Sequence, residues 1–209
     1  KDHAQLRLRP AREIAGRFAA LDVLCLYALA PQDKFSTDEL LALADRCALR
    51  QHLSPKETVW LSRNRDELVA SDSPRVGWRS ENMVSLAWVL GYPAPPNIDG
   101  VMVTGDAMKD LLAGFMPRTP EACQAWLESA TTRSAREVFE VEDLFYCAHN
   151  AVRSAQVEPQ PTGLKRLFAR PSSVPKGFDP IANGGVIHER RHALTWCLSP
   201  GVAWDDTDL

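Results

Sequence analysis

An all-α, single-domain protein is predicted by three observations on the sequence. Apolar residues return at spacings of three and four along nearly the whole chain. Helix-capping signatures precede those runs repeatedly, and the two-residue alternation of a half-buried strand is almost absent. The chain has 209 residues, 45% hydrophobic and 24% charged, an ordinary globular composition. That composition rules out a disordered tail, a collagen-like repeat and a small disulfide-stapled scaffold.

About eight helices follow in order. The first runs from about residue 11 to 30, with Ile14, Phe18, Leu21, Cys25 and Ala28 on one face. Ser36 with Glu39 forms a capping-box pattern ahead of Leu40, Leu43, Ala44 and Cys47. Ser54, Pro55 and Glu57 combine a cap, a proline suited to the first helical position and a carboxylate two residues later. A fourth helix is expected from about Pro74 to Leu90, stopped by Gly91 and Pro93. Its apolar residues, Trp78, Met83, Val84, Leu86, Ala87, Trp88, Val89 and Leu90, surround the whole circumference, which marks it as the central buried helix. Residues 92–103 make a Pro-rich loop, and shorter helices at about 105–113 and 120–130 are capped by Thr104 and Thr119. A long seventh helix opens at Ser134 with Glu137 at its third position and reaches about Gln156; its apolar stripe is Val141, Leu144, Phe145, Ala148, Val152 and Ala155. Residues 157–182 hold five prolines and two glycines, a long loop or lid with at most a short helical turn at Leu164–Ala169. The last helix spans about 184–198, stops before Pro200 and Gly201, and leaves a short acidic tail at 203–209. All of this reads as one domain, residues 1–209.

Charge and cysteine usage narrow the partners. With 24 Lys+Arg against 27 Asp+Glu, the formal net charge is −3, so no positive excess exists to neutralise a phosphate backbone and nucleic acid is not an expected partner. The longest apolar stretch, Phe18 to Ala30, carries Asp22 and is too short for a bilayer span. No membrane association is expected. The five cysteines, Cys25, Cys47, Cys123, Cys147 and Cys197, lack C-x-x-C spacing and sit among apolar neighbours, as reduced core thiols of a cytoplasmic chain would. The sequence opens on Lys1 rather than Met, so a trimmed or processed start is expected.

One short motif points to catalysis. His188, Glu189 and His192 spell H-E-x-x-H on a predicted helix, the spacing at which two imidazoles hold Zn²⁺ while the glutamate activates a bound water. A third ligand would have to come from Asp205, Asp206 or Asp208. Against this, both variable positions are arginines, Arg190 and Arg191, whose charge opposes a divalent cation. The chain also ends 17 residues after His192, and no G-x-x-H extension follows. On the helical wheel the apolar arc of Val186, Ile187, Ala193, Trp196, Cys197 and Leu198 takes in Glu189 and Arg190, with His188 and His192 on the opposite, solvated side. The favoured reading therefore has no metal and no cofactor, with zinc at His188, His192 and Asp205 as the alternative.

Charged residues inside apolar arcs need partners, because an unpaired buried ion costs several kcal/mol. Arg79 and Glu81 lie in the first turns of the central helix, and Glu189 and Arg190 in the apolar arc of the last. The economical pairing is Arg79 with Glu189 and Glu81 with Arg190 or Arg191, with Asp205 or Asp206 closing a structural cluster. On the seventh helix, Asp143, Tyr146, Asn150 and Arg153 form a polar stripe with His149 at its edge. This is either a solvated face or a contact surface; Tyr146 is what solvation explains least. No G-x-G-x-x-G, Walker A, G-x-S-x-G or Cys/His nucleophile pattern is present, and Gly184-Gly185 is a helix-entry turn.

Four separated blocks then form a recognisable series. They are Gly77-Trp78-Arg79-Ser80-Glu81 with Leu86-Ala87-Trp88-Val89-Leu90-Gly91; Glu142-Asp143-Leu144 with Tyr146 and Arg153; Glu189-Arg190-Arg191 with Ala193-Leu194 and Trp196; and Trp204-Asp205-Asp206. From about Ile14 to the C-terminus the chain resembles the bacterial domain-of-unknown-function 4272 family. The resemblance implies a mostly helical intracellular bacterial protein and carries no activity across. Asn150 stands where the family tends to have tryptophan, and His188 and His192 lie outside the shared pattern. The expected function is non-catalytic binding of another protein, of immunity or regulator type. The alternative is a hydrolase, using either the histidine metal site or a carboxylate cluster of Glu81, Glu189, Asp205 and Asp206.

Overall fold

The computed structural model describes residues 6–157 and 177–209. Among these are nine α-helices and no strand: α1 (Ala11–Leu29), α2 (Thr37–Arg46), α3 (Pro55–Ser62), α4 (Arg65–Gly77), α5 (Arg79–Val89), α6 (Gly105–Lys109), α7 (Pro120–Ser129), α8 (Ala135–Val157) and α9 (Ala182–Cys197). A 3₁₀ turn at Leu49–His52 precedes α3, and a π-helical turn at Asp110–Gly114 follows α6. Most of the loop expected at 157–182, and the turn expected at Leu164–Ala169, lie outside the described residues.

The chain is wound around α1. Every residue from Ile14 to Ala28 is buried, Arg17 and Asp22 included. Alanines and leucines, strong helix formers, dominate this run, and Pro31 ends it by forcing Ala30 into an extended conformation (φ −88°, ψ 149°). The last carbonyls of α1 are satisfied from a distance. Arg65 of α4 donates to Leu26 O (3.1 Å) and Ala30 O (2.7 Å), and also to Phe35 O (2.7 Å).

The expected single helix from Pro74 to Leu90 is two helices. Pro74 lies inside α4, the chain turns at Trp78, and α5 starts at Arg79. Central burial is shared: nine of the eleven residues of α5 are buried, and α1 contributes the longer unbroken run, from Ile14 to Ala28. Helix α4 escapes a pattern search because its buried residues are Arg65, Leu68, Asp72 and Val76. Their spacing is helical but half of them are charged. Its start is nonetheless capped by Asn64, whose side chain accepts from Asp66 N and Glu67 N.

Helix α9 packs between α5 and α8, and α1 packs on α4 and α5. Phe18 of α1 meets Phe115 edge to face (5.0 Å between centroids) and Trp126 (6.2 Å), with Tyr92 against the far side of Phe115 (5.6 Å). Of the five cysteines, all free, Cys25, Cys47, Cys123 and Cys197 are buried; Cys147, expected in the core, is exposed on α8. Among the described residues no helix is long and apolar enough to cross a membrane.

Asp22, fully buried on α1, pairs with Arg118 through Oδ2, while Oδ1 has no hydrogen-bond partner. Burial outweighs the attraction of Arg118 and raises its pKa to about 7. The native state therefore holds this proton more tightly than the unfolded chain. Its contribution is most favourable below about pH 4 and is lost as pH rises to about 7. Asp22→Asn cannot titrate, so its stability relative to the parent should improve between pH 4 and 7, by up to about 1.4 kcal/mol per pH unit in urea unfolding. A difference independent of pH would mean that Arg118 keeps Asp22 ionised throughout.

Candidate functional site

The polar centre of the molecule is assembled on one carboxylate. Ser54 caps α3 and Glu57 returns the bond in a capping box, Ser54 N donating to Glu57 Oε2 at 2.9 Å. The same carboxylate is fully buried and receives Arg17 of α1 in a bidentate clasp, Nη1 to Oε2 at 2.6 Å and Nη2 to Oε1 at 2.9 Å. Arg79 of α5 brings Nε to 2.8 Å from Oε1, close enough for an ion pair although its N–H is not aligned on the oxygen. Arg79 also reaches Glu189 of α9 at 3.3 Å. Four helices are joined by two acids and two bases.

Electrostatics follow from this packing. Desolvation would raise the pKa of Glu57, but Arg17, its hydrogen bonds, Arg79 and the Ser54 amide together leave it below the usual carboxylate range. Desolvation lowers Arg17, against the pull of Glu57. The Trp204 ring closes over the Arg17 guanidinium at 3.8 Å and meets Trp196 edge to face at 5.2 Å. Arg9 lies over Trp196 at 4.1 Å and donates to the carbonyls of Trp196, Ser199 and Val202, which ties the start of the chain to its end. The tail expected at 203–209 is thus docked through Trp204. A cavity of about 690 Å³ opens beside these rings, bordered by His52, Asp205 and Asp206.

Glu189, Arg190 and Arg191 are consecutive, so at 100° per residue their side chains fan out to different neighbours. Glu189 goes to Arg79. Arg190, 2% exposed, pairs with Glu81 of α5 at 2.6 Å. Arg191 turns to α8, where Nε meets Glu142 Oε1 (3.1 Å), Nη1 meets His149 Nδ1 (2.8 Å) and the guanidinium lies 4.8 Å from the Tyr146 ring. The expected pairs of Arg79 with Glu189 and Glu81 with Arg190 are both present. Asp205 and Asp206 form no ion pair among the described residues, although Asp205 is near enough to Arg17 for its charge to act on that guanidinium, and Glu81 and Glu189 are each paired with an arginine.

The histidines are arranged differently from expectation. Arginine can only donate, so His149 Nδ1 accepts and its proton sits on Nε2. His149 is buried, not at the edge of an exposed stripe. His188 is exposed, but His192 is half-buried with a buried, unpartnered Nδ1 and its ring 4.5 Å from Trp204. Among the described residues no three His, Cys, Asp or Glu side chains are placed to hold a metal ion. Asp205 does not complete a zinc site with His188 and His192, and the cationic Arg79 and Arg17 press on His192 instead.

The exposed face of α8 includes Asp143, Leu144, Tyr146, Cys147, Asn150 and Arg153. Leu144, expected in the core stripe, is 55% exposed, because the buried face is turned by roughly 60° at 100° per residue, towards Glu142 and His149. Arg191 needs both of those partners, and their burial decides the rotation.

A family model for a domain of unknown function (DUF4272) matches residues 1–207. The chain belongs to the DUF4272 family. The match extends beyond the Ile14-to-end resemblance to cover Arg9. No curated protein and no solved structure matches the chain. Arg17, Glu57 and Arg9 are the site residues that sequence reasoning missed in this DUF4272 domain. The signal that found Arg190, a charge inside an apolar arc, was also present at Arg17, between Ile14 and Phe18.

Replacing Glu57 with Gln leaves Arg17 and Arg79 buried without their shared counter-charge, and should cost about 3–5 kcal/mol in urea unfolding. A loss under about 1 kcal/mol, typical of an exposed pair, would contradict the hub. Desolvation first, then the neighbouring cations, lowers His149 and His192 each to about 4. Both stay neutral in the fold while the unfolded chain protonates near 6.5. The histidine contribution to stability should therefore drop as pH falls from about 6.5 to 4, opposite in sign to that of Asp22, and Tm should fall less, or rise more, over this range in a His149→Gln, His192→Gln double variant than in the parent.

Proposed function

We propose that this DUF4272 domain is a non-catalytic binding protein that acts by docking another protein on the exposed face of α8, in the manner of an immunity or regulator protein. The observation that carries the reading is the composition and rigidity of that face. Leu144 and Tyr146 are 55% and 48% exposed, on opposite flanks of a strip that holds Asp143, Asn150 and Arg153. The Tyr146 ring is held against Arg191, itself fixed by Glu142 and His149. A tyrosine anchored in advance binds with little loss of side-chain freedom, and tyrosine is enriched where interfaces carry most of their energy.

The interior supports the same reading. Glu57, Glu81, Glu142 and Glu189 each bond to an arginine. Glu57 is also held in its ionised form, which makes it a poor proton acceptor. These acids answer first to the packing of the helices.

The test is binding to a protein from the native cell, with the captured partner purified and titrated against variants. Leu144→Asp and Tyr146→Ala should each weaken a one-to-one complex at least tenfold, about 1.4 kcal/mol, with Tm unchanged in Leu144→Asp and lowered only by the loss of the Arg191 contact in Tyr146→Ala. Arg46→Ala, on an exposed α2–α7 ion pair remote from α8, should leave affinity within twofold. Retention of full affinity by both α8 variants would refute the assignment of this face.

A further inference from the structure

A second site lies on the opposite flank of α9, beneath the loop of residues 92–104. The buried pair of Arg190 and Glu81 tethers that loop at several points. Glu81 Oε1 accepts from Val103 N at 2.9 Å and Oε2 from Arg190 Nε at 2.9 Å. Arg190 Nη1 donates to Asn97 O at 2.8 Å and to the Asn97 side chain, and Nη2 to Val101 O at 2.9 Å. Asn183 of α9 adds a bond to Gly100 O at 2.9 Å. Gly100 has φ +71°, and a Cβ there would lie 2.5 Å from Asn183 O, so the loop can sit this close only with glycine.

Under the tethered loop a cavity of about 350 Å³ remains, walled by Val84, Tyr92, Val103, Ala107 and Leu111, with Val101 and Met102 exposed at its mouth. A buried ion pair and its hydrogen bonds hold the loop wall of this half-open pocket in place opposite Val84 of α5. Leu111 reaches the cavity from the π-helical turn at Asp110–Gly114, a distortion that occurs frequently at functional sites.

We infer that this cavity is a preformed binding site for a small, uncharged aromatic molecule of one or two rings. Three properties set the class. An apolar cavity of about 150 Å³ accepts benzene, so this one has room for about two fused rings. Among the described residues that line it, Arg190 is the one strong acid or base, and it is neutralised by Glu81, which leaves no net charge to attract an ion. Four hydrogen bonds and the ion pair with Glu81 engage the edge of the Arg190 guanidinium, so what it has left to offer is its flat π surface, complemented by the Tyr92 ring.

The probes are 2-naphthol and its saturated analogue 2-decalol, titrated calorimetrically into the whole chain. The expected result is one saturable site for 2-naphthol with Kd of about 0.1–1 mM, and at least tenfold weaker binding of 2-decalol. Ala107→Trp places a ring in the cavity from an exposed position. It should abolish 2-naphthol binding while Tm stays level or rises, and Ile98→Ser, outside the lining, should leave Kd within twofold. Absence of saturable binding, or equal affinity in Ala107→Trp, overturns the site. Equal affinity for 2-decalol overturns the aromatic class. Neither result bears on the α8 surface, which is tested with different residues and a protein partner.

Discussion

The carboxylate of Glu57 is the constraint from which the architecture follows. It is buried where a charge is expensive, and it is tolerable there because its oxygens face a backbone amide and two guanidinium groups on separate helices. A helix that carries Arg17 at its centre cannot be enclosed until α3 delivers this partner. Helix α5 cannot bring Arg79 inward unless the remaining positive charge is balanced by Glu189. The ion network thus couples the placement of α1, α3, α5 and α9, and Trp204 seals it by stacking on Arg17.

The three consecutive charges of α9 extend the same logic to the outer layers. A helix turns its successive side chains by about 100°, so Glu189, Arg190 and Arg191 point to three surroundings: the hub, the loop over α5, and α8. Arg190 fixes a loop, and Arg191 fixes both the rotation of α8 and the posture of Tyr146. What remains accessible at either end of this fan, an anchored tyrosine on one side and a propped apolar cavity on the other, consists of groups suited to contact. The acids and bases themselves are engaged inside.

Much of the fold was readable in advance for an identifiable reason: helix caps and apolar periodicity are local. Ser36, Ser54, Thr119 and Ser134 announced four helix starts, and the stripe of Ile14, Phe18, Leu21 and Cys25 announced α1. Helix α4 was missed because two of its four buried residues, Arg65 and Asp72, are charged, and a search for apolar stripes passes over them. The pairs of Arg79 with Glu189 and Glu81 with Arg190 were legible since charges within apolar arcs demand partners. Arg17 was overlooked in an arc whose apolar majority masked it, and Asp22, noted there as a lone charge, was given no partner.

The sequence by itself determined the all-α class, most helix boundaries, membership of a family and the need for buried charges to be matched. Those properties depend on neighbours a few residues apart or on the simple cost of desolvating an ion. Only the tertiary structure decided that Glu57 serves both as a capping residue and as the hub, that Leu144 faces outward, and that His149 is buried against Arg191. Each of those outcomes depends on which helix faces which, and that is set by the joint satisfaction of charges distant in the chain, which no local pattern records.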